Sequence, residues 1–121
     1  MFPPIFEICK ASASVTALIG ANPCRLYPFG EAPQDVQKPY AVWQTATGLP
    51  ENYLNQRPDL DSFGLQVDVY ADTGSAARAV AAALRDAIEP VAYITAWRGE
   101  GRDPETKNYR FTFDVDWLVN R

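Results

Sequence analysis

Two segments in the second half of this chain alternate apolar and polar side chains almost without fault: Phe63 to Ala71 and Tyr109 to Trp117. A period of two is the repeat of a β-strand. It puts Phe63, Leu65, Val67 and Val69 on one face, and Tyr109, Phe111, Phe113, Val115 and Trp117 on the matching face of a partner strand. Gln66, Asp68, Arg110, Thr112, Asp114 and Asp116 then fall on the opposite, polar face. Antiparallel sheets permit one buried and one wetted face. The pattern predicts a small sheet whose apolar side is covered by helices, leaving its open face, edges and loops for function.

The remaining segments supply the cover. Pro3 and Pro4 suit the first turn of a helix, where their missing N–H groups would be unpaired anyway. Ile5, Phe6 and Cys9, then Val15, Leu18 and Ile19, continue a helical pattern that Ser12-Ala13-Ser14 interrupts. Gly20 and Asn22-Pro23 end it. Arg25 to Tyr27 reads as a short strand, Phe29 to Pro39 as a loop, and Tyr40 to Thr47 as a strand rich in β-formers. Gly48 to about Leu60 carries Gly48, Pro50 and Pro58 and reads as a long loop, a class that is often functional. Asp72 to Ser75 offers capping side chains to a helix over Ala76 to Ile88, with Val80, Leu84 and Ile88 at i+4 spacing beside Ala77 and Ala81. Pro90 stops it. Val91 to Arg98 reads as a further strand with Tyr93, Ile94 and Trp97 buried, followed by a charged turn, Gly99 to Pro104. The expected class is α+β: a mainly antiparallel four-stranded sheet, plus a short extra strand, with helices packed on one face.

A chain of 121 residues forms one domain over 1–121, and 47% hydrophobic content with 12% aromatics belongs to a folded globule. Eleven basic against fifteen acidic residues leave a net charge of −4, which argues against binding a DNA backbone. The aromatics alternate inward, whereas a base-stacking platform needs them outward. No stretch approaches the ~20 apolar residues of a membrane span. Met-Phe-Pro-Pro lacks the features of a signal peptide, so synthesis in a cytoplasm with Cys9 and Cys24 as free thiols is expected.

Histidine is absent, which removes the commonest general base and zinc ligand. Asp68, Asp114 and Asp116 form the one carboxylate cluster. They are either ordinary polar positions on a wetted strand or, less economically, ligands for Mg²⁺ or Ca²⁺. Gly99-x-Gly101 neither follows a parallel strand nor opens a helix, so it is no phosphate cradle. Arg98, Arg102 and Lys107 make a modest basic cluster, either solvated or paired with a neighbouring subunit. No catalytic residue, cofactor or metal site is expected.

Arg25 to Gln34, running Arg-Leu-Tyr-Pro-Phe-Gly-Glu-Ala-Pro-Gln, followed by Lys38-Pro-Tyr-Ala-Val-Trp-Gln44, resembles the signature of tail-completion proteins of long-tailed bacteriophages and prophages. Leu65 to Tyr70, the alanine-rich helix and Arg110 to Val115 continue the likeness in order, over nearly the whole chain. The motifs are structural, not catalytic. The resemblance implies a non-enzymatic virion subunit that forms a ring, usually hexameric, at the head-proximal end of the tail. There it halts tube polymerisation and joins the head, with the tail-tube protein and a head-tail connector as partners and no membrane or sequence-specific nucleic acid. Within that reading the contact residues are Tyr53, Leu54, Asn55, Arg57, Glu100, Arg102 and Asp103, and the acidic face of Asp68, Asp114 and Asp116 lines the lumen. A neck connector is the near alternative, and a metal-dependent enzyme using the acidic trio is the distant one.

Overall fold

A computed structural model describes residues 2–53, 56–104 and 106–120. In chain order the elements are α1 (Ile5–Lys10), α2 (Ala13–Ile19), β1 (Leu26–Pro28), β2 (Tyr40–Tyr53), β3 (Gln56–Ala71), α3 (Gly74–Ile88), β4 (Tyr93–Arg102) and β5 (Tyr109–Asn120). The five strands form one sheet in the order β1-β2-β3-β5-β4. Only β1 and β2 run parallel; the other three pairings are antiparallel. The α+β class is the one expected, with the short strand joined to the sheet as a parallel edge.

Local chemistry explains the helices. Ser12 separates α1 from α2 because its hydroxyl accepts the Val15 N–H at 3.4 Å, capping the second helix. Gly20 closes α2 at φ 89°, and a Cβ there would lie 2.8 Å from the Pro23 carbonyl oxygen, so only glycine fits. The Thr73 hydroxyl accepts the Ala76 N–H at 3.1 Å and starts α3. Ala77, Val80, Ala81, Leu84 and Ile88 then face the sheet.

The alternation of β3 and β5 is realised as predicted. Leu65, Val67, Val69 and Ala71 lie opposite Val115, Phe113, Phe111 and Tyr109. All of these but Phe111 and Tyr109, which pack at the margin, belong to the buried core with Trp117, α3, Ile5, Cys9, Val15 and Ile19. Each fully buried Leu, Val or Phe stabilises the fold by about 1.5–3 kcal/mol. Cys9 and Cys24 are both buried, free thiols. Burial, with Cys24 close by, pushes the Cys9 thiol up to about 12.

Two expectations are corrected. The segment from Gly48 to Leu60 is not a loop: β2 and β3 continue through it as a paired hairpin as far as Tyr53↔Gln56. Gly48, Pro50 and Pro58 are tolerated because the stretch is edge strand. Among the described residues, β1 pairs β2 only to Trp43, and β5 pairs β3 only as far as Leu60. The second correction concerns β4. It begins at Tyr93 and runs to Arg102, with bulges between Ile94 and Ala96 and between Trp97 and Gly99, and takes in all of the predicted turn but Asp103 and Pro104. Tyr93 and Trp97, expected inside, are 70% and 46% exposed, since β4 is the other sheet edge.

Among the described residues no helix is long and apolar enough to cross a membrane.

Candidate assembly surfaces

The most unusual part of the molecule is the β2–β3 arm. Among the described residues, Leu60↔Asn120 is the last β3–β5 pair, and beyond it β2 and β3 hold only each other. Along β2, no described strand covers the edge past Trp43. At ~3.3 Å per residue, β3 from Ala71 to Gln56 extends about 50 Å, so the arm reaches well past the helix-covered core. Tyr53 and Arg57 stand on the two strands at its tip; Leu54 and Asn55 lie outside the described residues.

Glu100, Arg102 and Asp103 are not brought to that tip. Arg102 pairs with Tyr109, which in turn pairs with Ala71, so these residues occupy the opposite end of the sheet. The two predicted contact sets are therefore separated by the length of the strands. The second set is also structured. Arg78 on α3 grips Glu100 with Nε on Oε1 at 2.5 Å and Nη2 on Oε2 at 2.8 Å. Hydrogen bonding from Arg78 holds the Glu100 carboxyl below its ordinary value. The Arg102 guanidinium lies 5.3 Å from the Tyr109 ring centroid. The turn after β4 is closed by the Lys107 N–H donating to the Asp103 carbonyl at 2.7 Å, with Lys107 at φ 61°. Behind it a cavity of about 340 Å³ is lined by Tyr70, Arg102, Thr106, Asn108 and Arg110, among others.

The open face carries Asp68, Asp114 and Asp116, opposite Thr112, Gln66 and Gly64 respectively. The three carboxylates share a face, as expected, but not an environment. Asp68 is only 9% exposed; Thr112 Oγ1 donates to its Oδ1 at 2.5 Å and Gln66 Nε2 to its Oδ2 at 3.4 Å. Asp114 accepts from Arg98 Nε at 2.6 Å, so that arginine pairs within the chain. Asp116 alone of the three is exposed. Among the described residues no three His, Cys, Asp or Glu side chains converge as a metal site requires.

Sequence reasoning missed several surface features. Tyr40 and Tyr70 stack across the open face at 5.1 Å and 21°, and their partial burial raises both phenols. Phe29, 71% exposed, projects from the turn after β1. The signal for Phe29 was present: an aromatic between Pro28 and Gly30 has no periodic partner to bury it.

The family described as tail completion protein gp17 matches residues 3–120. No curated protein matches the chain. Among solved structures, a chain of the virion of a native gene transfer agent (GTA) particle superposes with a TM-score of 0.70 at 15% identity. The match covers 97% of this chain and 92% of that one. At that identity the likeness speaks for the fold.

Proposed function

The chain belongs to the tail completion protein gp17 family, and on that premise we propose that it is the tail terminator, a ring subunit that ends the tail tube and joins it to the head. It is a structural protein of the phage tail, and its place is in the virion. The observation that carries the finer reading is the separation of two surfaces by one sheet. The β2–β3 arm projects from one end of the strands, and the turn with Arg102 and Asp103 closes the other. A subunit of this shape, with its strands along the ring axis, offers one end to tail-tube subunits and the other to the neck. Heterologous contacts between the lateral edges then close the ring, since a cyclic assembly joins two different patches of each copy.

Tyr53, Leu54, Asn55 and Arg57 are assigned to one docking end, and Glu100, Arg102 and Asp103 to the other. The open face looks toward the lumen, where the exposed Asp116 keeps passing DNA from adhering and Asp114 stands beside it paired with Arg98. Asp68 shares that face, with its carboxylate held in the sheet by Thr112.

Electron microscopy of tails assembled without this protein tests the reading. Overlong, headless tubes are the expected outcome. Tails of normal length with empty necks would overturn termination and make the protein a neck connector.

A further inference from the structure

We propose that ring closure seats Phe29 of one copy in the notch between α3 and β4 of the next. This rests on the ring reading above and names the contact that reading leaves open. Both halves lie on the same cross-strand row. Pro28 pairs with Trp43, Trp43 with Val67, Val67 with Phe113, and Phe113 with Trp97. Phe29 follows Pro28 at one edge of the sheet, and Trp97 ends the row at the other. A closed ring has no rise along its axis, so the two different patches of each contact must stand level. With strands along that axis, this row meets the condition.

Each half has the form its role needs. Phe29 occupies the first corner of a tight turn in which Glu31 N–H donates to the Pro28 carbonyl at 3.0 Å and Gly30 sits at φ 81°, the geometry of a type II turn. Phe29 N–H also donates to the Trp43 carbonyl at 2.8 Å. The ring of Phe29 is thus 71% exposed on an immobilised backbone, so docking it orders little chain. The notch is a cavity of about 240 Å³ lined by Arg78, Ala81, Ala82, Arg85, Trp97 and Phe111. A cavity of about 150 Å³ is enough for a benzene ring. Trp97 forms its aromatic wall, set edge-on to Phe111 at 5.4 Å and tilted on Phe113 at 5.2 Å. The small alanines of α3 leave the space, and the guanidinium planes of Arg78 and Arg85, held by Glu100 and by Asp86 and Glu89, offer a cation–π partner to an aromatic ring. Strand addition is the poorer way to join these edges, because β4 is broken by two bulges and β2 carries a bulge and Pro50.

The test uses full-length protein in assembled particles. Glu31→Cys combined with Arg85→Cys leaves Phe29 and Trp97 in place. Mild oxidation should convert the monomer band into a ladder ending at the ring, which neither single variant produces. Cys9 and Cys24 are buried and stay silent. Rings visible by microscopy with only monomer after oxidation would overturn the seat while leaving the terminator reading intact. Absence of any ring from wild-type tails would overturn both. Independently, Phe29→Ala should lower infectious titre by roughly tenfold or more, as loss of an aromatic anchor does, with the unfolding midpoint unchanged. Wild-type titre would also overturn it.

Discussion

The block where β3 meets β5 and the arm where β3 meets β2 are built from the same strand, yet they obey different physics. In the block, Leu65, Val67 and Val69 face α3 and pack beside Phe113 and Val115, every one at most 1% exposed. Past Leu60 the same strand has neither β5 beside it nor any described strand on β2's far edge. An isolated two-stranded hairpin is marginal in water. The molecule thus concentrates its stability in one half of β3 and extends the other half beyond it. What holds the monomer together and what meets other subunits are separable, and mutations should sort accordingly.

The hardest blow to the block is Phe113→Ala. Phe113 is fully buried at the centre of the cross-strand row, and its removal should cost about 3–5 kcal/mol, read as a lowered urea midpoint. A loss below ~1 kcal/mol would mean that the core is not centred there.

The open face should divide the same way. Asp68→Ala leaves the buried Thr112 hydroxyl without its acceptor and should cost about 1–3 kcal/mol. Asp116→Ala, two rungs further along β5's open face from Thr112, should change stability by no more than ~0.5 kcal/mol. Equal effects at both positions would show that the face is uniformly wetted and that Asp68 has no structural part. Thr73→Ala, which removes the α3 cap, should fall between these at about 1 kcal/mol in a chemical-denaturation comparison.

The features legible in the sequence were those written in local periodicity and capping chemistry. The faces of β3 and β5, the Ser12 break between α1 and α2, and the helix ending at Ile88 with its cap all depend on neighbours a few residues away. The misreadings share a different cause. Gly48, Pro50 and Pro58 read as loop residues because nothing local says that the strands they interrupt are edges, where such residues are admitted. Tyr93 and Trp97 read as core because they are large and apolar, but strand order puts β4 outermost. The direction of β1 rests on three residues, too few to carry any signal. Of the contact residues named from the sequence, Tyr53 and Arg57 lie at one end of the sheet and Glu100, Arg102 and Asp103 at the other. That separation arises from pairing register, which no single segment encodes. Asp68, Asp114 and Asp116 were placed on one face by alternation alone; their unequal surroundings come from Thr112 and Arg98 on other strands.

The smallest effect on stability is expected where the effect on assembly is greatest. Removing Asn52–Gln56 joins Glu51 to Arg57 and leaves the pair Glu51↔Leu60 as the last rung. Arg57, Pro58 and Asp59 then form a three-residue connection, a length that antiparallel strands accept. No described rung of the β3–β5 ladder is touched, since its outermost pair is Leu60↔Asn120. The shortened protein should therefore unfold within ~0.5 kcal/mol of the full chain, while particles assembled with it lose infectivity. If the deletion instead lowers the urea midpoint as far as Phe113→Ala does, the arm is a structural part of the monomer. If stability and titre both stay at wild-type levels, the tip of the arm is dispensable and the docking surface at this end of the sheet must lie elsewhere on β2, β3 or β5.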